Sequence, residues 1–328
     1  MFIQFAFHIP LVTDGVQTFR LTPASIHAPH LEVGTGIIPD SPCGPLLRFS
    51  ALLSTHNRLL TVTYQAFNQM LKAMYSPALS STLDGERELI WSRDGIRYRY
   101  GFHVQKGIIL AEWLYYKRKR ETYIFYKHED VFEINQGYPD LIELVKRHLA
   151  GPKHFLLGTA ATLFPTGMRD ILPHDFIHCL ERISVYGSLH KYISHEAFVD
   201  LNNFLQQTDP SFETMKWHSS SRSSGDLTFK WKHQREVTFQ ELPSGIRDEM
   251  TILLELFQAF HRYSVIFLHG FWDLFHPLVQ KNLLARFNDP QQNPLGSQLI
   301  VTTLNPYSIS HEVSRQDQLW LLHPTAKG

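Results

Sequence analysis

Three consecutive stretches of this chain alternate apolar with polar residues: Arg97-Tyr98-Arg99-Tyr100-Gly101-Phe102, Ile108 to Tyr115, and Thr122 to Tyr126. A period of two puts every second side chain on one face, so each stretch reads as a strand with one buried face. The gaps between them, Gln105-Lys106-Gly107 and Lys117 to Glu121, have hairpin length. Neighbouring strands must then pair antiparallel. The first half of the chain reads as a β-meander.

The chain has 328 residues, 43% of them hydrophobic and 19% charged, an ordinary globular balance. That is enough for one large domain or two lobes, because single cores stop growing near about 250 to 300 residues. Lys and Arg number 31, and so do Asp and Glu. No global field therefore draws the molecule to nucleic acid or anionic lipid, and such binding needs a local patch. The two cysteines, Cys43 and Cys179, make no disulfide framework and suit a reducing compartment. The start, Met1-Phe2-Ile3-Gln4, lacks the charged head and apolar run of a signal peptide. Apolar runs such as Val265 to Leu268 fall short of the roughly 20 residues that span a bilayer. The expected location is the cytoplasm, with no membrane partner.

Helical spacing takes over from Leu141 to Leu149 and from Phe176 to Gln207. There Ile177, Leu180, Ile183 and Tyr186, then Phe198, Leu201 and Leu205, recur on one face, predicting a helical insert. The serine-rich stretch His218 to Asp226 reads as an exposed loop. No internal repeat is visible. From Glu236 onward the pattern becomes strand (to Glu241), helix (Arg247 to Tyr263), buried strand (Val265 to Leu268), helix (from Pro277, with Leu283, Leu284 and Phe287) and strand (Gln298 to Thr303). Such alternation predicts an α/β layer. The expected organisation is an N-terminal lobe over residues 1–165, a helical insert and loop over 166–226, and a C-terminal lobe over 227–328.

Four segments of the second half carry a resemblance, and their order matters more than any one of them. They are Leu242-Pro243-Ser244-Gly245-Ile246-Arg247, Val265 to Pro277, Gln298 to Pro306, and Asp317-Gln318-Leu319-Trp320. In that order they resemble the signature motif, the Walker B strand with its D-loop, the switch strand and the closing strand of ABC-type ATPase heads. The heads in question are of the RecF, SMC and RloC kind, especially the AAA-type ATPases of bacterial abortive-infection and restriction-linked operons. Met1 to Phe5 resembles the family's first strand, and Tyr98 to Trp113 to Phe125 its meander. The resemblance implies an α/β fold of the P-loop NTPase class: a bilobed ABC-ATPase-like head with a β-meander lobe and a helical insert.

Hydrolysing ATP on such a scaffold needs a glycine-rich loop whose amides cradle phosphates, a lysine at the terminal phosphates and a hydroxyl on magnesium. The chain has no Gly-Lys dipeptide. The position that the resemblance assigns to the loop precedes an expected helix at Leu46 to Phe49 and reads Pro39-Asp40-Ser41-Pro42-Cys43-Gly44-Pro45. Three prolines remove three amide donors, and Asp40 brings negative charge. The two Walker B carboxylates, one supporting magnesium and one polarising water, resemble His269 and Gly270. Magnesium prefers oxygen to imidazole, and glycine offers no base. Asp273, in the D-loop segment with His276, is either a displaced carboxylate or a turn or helix cap. Leu304 stands at the place of the switch histidine. The expectation is a pseudo-ATPase without catalytic residues, cofactor or metal.

Ser244-Gly245 survives, at the start of a helix. In this family the element touches nucleotide held by a partner subunit, so it either completes another chain's pocket or merely caps its helix. His174 and His178, four apart and followed by Cys179, are either a zinc spacing or spare histidines on a surface helix. Lys117-Arg118-Lys119-Arg120, flanked by Tyr115, Tyr116 and Tyr123, either meets a phosphate backbone or is a solvated hairpin tip. The expected function is a scaffold or regulatory subunit, in a homodimer or beside an active ATPase, nuclease or toxin. Bacterial anti-phage defence is what the resemblance implies. The alternatives are a signature Ser-Gly supplied in trans to an active ATPase, and a nucleic-acid-binding module.

Overall fold

The computed structural model describes residues 1–10, 12–13, 15–24, 36–78, 84–147, 151–168, 170–173, 177–181, 193–218, 227–309 and 311–323. The chain opens with strands β1 (Phe2–His8) and β2 (Gln17–Arg20) and a short hairpin of β3 (Ile37–Ile38) and β4 (Leu46–Leu47). Strand β5 (Phe49–Leu53) then runs into helix α1 (Asn57–Tyr75). Next come β6 (Gly85–Arg93), β7 (Ile96–Gln105), β8 (Ile108–Lys117), β9 (Glu121–His128) and β10 (Val131–Ile134). Helices α2 (Pro139–Lys146), α3 (Leu156–Leu163) and α4 (Pro165–Met168) lead to β11 (Ile177–Glu181). Helix α5 (His195–Thr208) is followed by β12 (Phe212–Trp217), β13 (Leu227–Trp231) and β14 (Val237–Thr238). The chain then adds α6 (Ser244–His261), β15 (Val265–His269), α7 (Pro277–Asn288), β16 (Gln298–Thr303) and β17 (Leu319–Leu321).

The three period-2 runs are β7, β8 and β9, which β6, β10, β1 and β2 extend into a seven-stranded sheet of order β10-β9-β8-β7-β6-β1-β2. Its first two hairpins turn on Asp94-Gly95 and Lys106-Gly107, all four with positive φ. Two-residue turns of that kind match the twist of the flanking strands. The inner face packs Trp91, Tyr100, Phe102, Leu114 and Phe125, all fully buried.

The second sheet is parallel, of order β11-β15-β16-β5-β17. Its strands β5, β15 and β16 are buried along their whole length, as a sheet covered on both faces requires. Leu52, Phe267 and Ile300 face one core, which contains α1 and the meander. Ala51, Leu53, Ile266, Leu268, Leu299 and Val301 face the other, beneath α6 and α7. Helix α1 lies between the two sheets: Phe67 meets Phe5 at 5.1 Å and Phe267 at 5.0 Å between ring centroids. Gln298, fully buried at the start of β16, ties the sheets together. Its side chain accepts the Phe2 N–H at 2.8 Å and donates to the carbonyls of Phe2 and Leu47 at 3.2 and 3.0 Å.

Three expectations change. Leu46 to Phe49 is strand rather than helix: the run is buried on both sides, a setting that suits a short extended segment as well as it suits a helix. Phe176 to Gln207 is not one helical stretch, since Ile177–Glu181 pairs parallel with β15 and the helix begins at His195. Ile183 and Tyr186 lie outside the described residues, as does the serine-rich loop beyond His218. The segment Glu236 to Glu241 holds only a two-residue strand followed by a 3-10 turn. The parallel sheet takes β5 from residues 1–165, β11 from 166–226 and three strands from 227–328. Among the described residues no helix is long and apolar enough to cross a membrane.

Candidate functional site

Parallel α/β sheets place ligands at the carboxyl ends of their strands. Here that crest is built by the turn after β5, the end of β15 and the end of β16. The turn from β5 into α1 is Ser54-Thr55-His56, three residues without glycine or lysine. Ser54 is buried, and its hydroxyl accepts the His56 N–H at 3.1 Å. Arg58, in the first turn of α1, is exposed.

Strand β15 ends in His269, which is 8% exposed. Its ring stacks on Tyr64 of α1, 4.7 Å between centroids, and its Nδ1 lies 2.8 Å from the Thr302 hydroxyl. The Gly270 N–H donates to the same hydroxyl at 3.3 Å. Burial holds the imidazole pKa below its usual 6.5, so the ring is neutral at physiological pH. Gly270 has φ +78°, a left-handed turn that carries the chain off the strand. The carboxylate of Asp273 accepts from the Thr303 hydroxyl and, at 3.1 Å, from the Leu304 N–H. It clips the segment after β15 to the end of β16. His276 is the N-cap of α7, its Nδ1 accepting the Leu278 N–H at 3.2 Å. Leu304 is 47% exposed beside this clip.

The segment Pro39, Asp40, Ser41, Pro42, Cys43 and Gly44 lies elsewhere, which corrects the position expected for the phosphate loop. It forms the tip of the β3–β4 hairpin, where the Ser41 hydroxyl accepts the Cys43 N–H at 3.2 Å and Gly44 takes φ +92°. This hairpin sits at the amino ends of the parallel strands: Leu299, near the start of β16, donates its N–H to Arg48, just before β5. Pro42 helps line a cavity of about 460 Å³ there, with Met1, Tyr263 and Leu295. Its prolines shape a turn and take no amides from a phosphate. The cause of the misplacement is the apolar run at Leu46, Leu47 and Phe49, which has no periodicity to separate strand from helix.

Ser244 and Gly245 are exposed and open α6, an 18-residue helix. Pro243 is the N-cap, so Ser244 does not cap the helix, and a Cβ on Gly245 would meet nothing within 4 Å. Lys117, Arg118, Lys119 and Arg120 are exposed at the β8–β9 tip, on the meander rather than the crest. His178 and Cys179 lie on strand β11, where neighbours face opposite ways, so the four-residue helical spacing with His174 does not apply. His174 is outside the described residues, and among those described no group of three His, Cys, Asp or Glu side chains is placed to hold a metal. Ser54, Tyr64 and Thr302 had escaped notice in the sequence. The polar break Ser54 to Asn57 between an apolar run and an amphipathic helix is a helix-start signal, and it points to the first of them.

No protein-family model and no curated protein matches the sequence. Solved structures do match. The crystal structure described as the SmcHead bound to the C-winged helix domain of ScpA aligns over 97% of this chain and 95% of that one, with a TM-score of 0.50 and 8% identity. The fold resembles an SMC head. Two further SMC heads give TM-scores of 0.45: the head domain from Thermotoga maritima (10% identity, 94% and 90% of the two chains) and the Pyrococcus furiosus head with an extended coiled coil, bound to the C-terminal domain of ScpA (7% identity, 94% and 90%). At such identities the likeness is one of fold, an SMC-head-like fold consistent with the ABC-ATPase class.

The side chains at the crest of this SMC-head-like fold do not fit a magnesium triphosphate. A phosphate-cradling loop is about eight residues with glycines and a lysine, whereas the turn here is Ser54-Thr55-His56 and its serine hydroxyl is engaged by its own turn. Where a hard cation needs oxygen, β15 ends in an imidazole packed on a tyrosine.

Proposed function

We propose that this SMC-head-like protein does not turn over ATP itself and works as a scaffold or regulatory subunit of a protein complex. The observation that carries the reading is the glycine-free, lysine-free turn of three residues between β5 and α1. Neutral, buried His269 at the end of β15 supports it, because a neutral ring does not replace a magnesium-bound carboxylate. The partner is a second copy, or an active ATPase, nuclease or toxin, and the setting is bacterial anti-phage defence, as the sequence resemblance implies. One structural neighbour is a head bound to a winged-helix domain of another protein, which is in keeping with a protein partner here.

A second reading rests on Ser244 and Gly245, exposed at the start of α6, where no side chain caps the helix and a Cβ on Gly245 would meet nothing within 4 Å. In that reading the pair reaches nucleotide held by an active partner. The test is titration of the purified chain with Mg-ATP, followed by thermal unfolding and phosphate release. The expected result is an unchanged unfolding midpoint and release at background. Saturable stabilisation with hydrolysis that His269→Ala abolishes would overturn the proposal. For the second reading, Ser244→Arg should lower ATPase activity of the complex co-purified with the neighbouring operon products; unchanged activity would sink it.

A further inference from the structure

The outer face of the meander carries aromatic and cationic side chains in register across three strands. Arg99 on β7 lies opposite Tyr115 on β8, and Tyr115 lies opposite Tyr123 on β9. One step along, Trp113 lies opposite Tyr126. The Arg99 guanidinium sits 4.5 Å from the Tyr115 ring centroid, held by Glu88 at 3.4 Å and Glu121 at 3.1 Å. Tyr123 is 40% exposed. Along β8 the ring positions are about 7 Å apart, and across the strands about 5 Å.

The same strands lead to the tip where Lys117, Arg118, Lys119 and Arg120 are all exposed. Arg97 stands opposite Lys117, and Glu121, also opposite Lys117, is the acid set among these cations. The chain as a whole has no net charge, so this concentration of positive charge is local. Aromatic planes beside a basic track serve one kind of ligand well: a strand whose bases are unpaired and whose backbone is a row of phosphates. Duplexes hide the base faces, and acidic peptides have no use for the rings.

We propose that the outer face of β7, β8 and β9 binds single-stranded nucleic acid, with bases stacked on the Tyr115 and Tyr123 side and phosphates at the Lys117 to Arg120 tip. The Arg99 guanidinium, over the Tyr115 ring, extends the stacking surface. Nothing on this face depends on whether the crest holds nucleotide.

The test is fluorescence anisotropy of the full chain with labelled single-stranded oligothymidylate, oligouridylate and a duplex of equal length, over a salt series. Single strands should bind more tightly than duplex, and an equal response to the DNA and RNA strands would assign recognition to bases and phosphates alone. Tyr123→Ala should weaken binding about 5- to 150-fold, while Tyr123→Phe keeps it. Replacing Arg118, Lys119 and Arg120 together by serine should make the log affinity against log salt slope shallower by about two, since each single-strand phosphate contact contributes about 0.7. Glu121→Gln should tighten binding by releasing Arg97 and removing one of the two acids on Arg99, a gain that misfolding cannot mimic. Duplex bound as tightly as single strand, affinity unmoved by Tyr123→Ala in a chain that unfolds like the parent, or no binding at low salt would overturn the proposal. Those results would leave an electrostatic patch or a protein-docking face.

Discussion

The rings of Tyr64 and His269 lie face to face, 4.7 Å apart and 15° from parallel, closing the crest of the parallel sheet from beneath. Helix α1 thereby touches the end of β15 with an aromatic plate.

Burying a neutral imidazole makes stability depend on pH. The folded chain holds His269 below its usual 6.5, so the unfolded chain takes up the proton first as pH falls. Stability from this residue is complete above about pH 6.5 and declines below it, by no more than about 1.4 kcal/mol per pH unit. Unfolding midpoints taken from about pH 7.5 to about pH 5.5 should fall more steeply for the parent than for His269→Gln. Identical slopes would remove His269 from the account.

Glu112 is fully buried on β8, and its carboxylate accepts the N–H groups of Leu156 and Leu157 at 2.7 and 3.0 Å and the Tyr100 hydroxyl at 3.0 Å. Burial pushes its pKa up, against the pull of those amide bonds and of Lys127. The side chain fastens the start of α3 to the meander. Glu112→Ala leaves the Leu156 and Leu157 amides and the Tyr100 hydroxyl without their acceptor and Lys127 without a nearby countercharge, and should cost about 3 to 5 kcal/mol in denaturant unfolding. Glu112→Gln retains a carbonyl acceptor and should cost less. Equal losses for the two variants would show that packing, not hydrogen bonding, holds α3.

The Asp273 clip makes a local prediction. Asp273→Ala frees the Leu304 amide and removes one partner of the Thr303 hydroxyl, a loss of about 1 to 3 kcal/mol. Hydrogen exchange should quicken at Leu304 and its neighbours while the meander stays unchanged. Exchange at Leu304 as slow as in the parent would refute the clip.

Much of this architecture was legible because it is written locally. Strands β7, β8 and β9 follow from alternation over a few residues and from turns such as Lys106-Gly107, and β16 runs over Gln298–Thr303 as its apolar run suggested. His269 and Gly270 were legible as the end of a buried strand. The crest was not. The run from Leu46 to Leu53 has no period, so the strand that feeds α1 could not be told from a helix, and the phosphate-loop position was assigned to a hairpin at the wrong end of the sheet. β11 escaped for the same reason: five residues of an edge strand resemble a turn of amphipathic helix. Tyr64 declared itself only through its contact with a side chain more than half the chain away.

Phe2 shares its backbone hydrogen bonds with Gln298, and β5 lies between β16 and β17. A chain made from its amino end therefore finishes the hairpins of β6 to β10 early, from neighbours in sequence, while Phe49–Leu53 waits with both edges bare until residues 298–321 emerge. Throughout that interval an apolar strand stands open to other nascent chains, so the yield of folded protein depends on how fast, and in what company, the final strands are delivered.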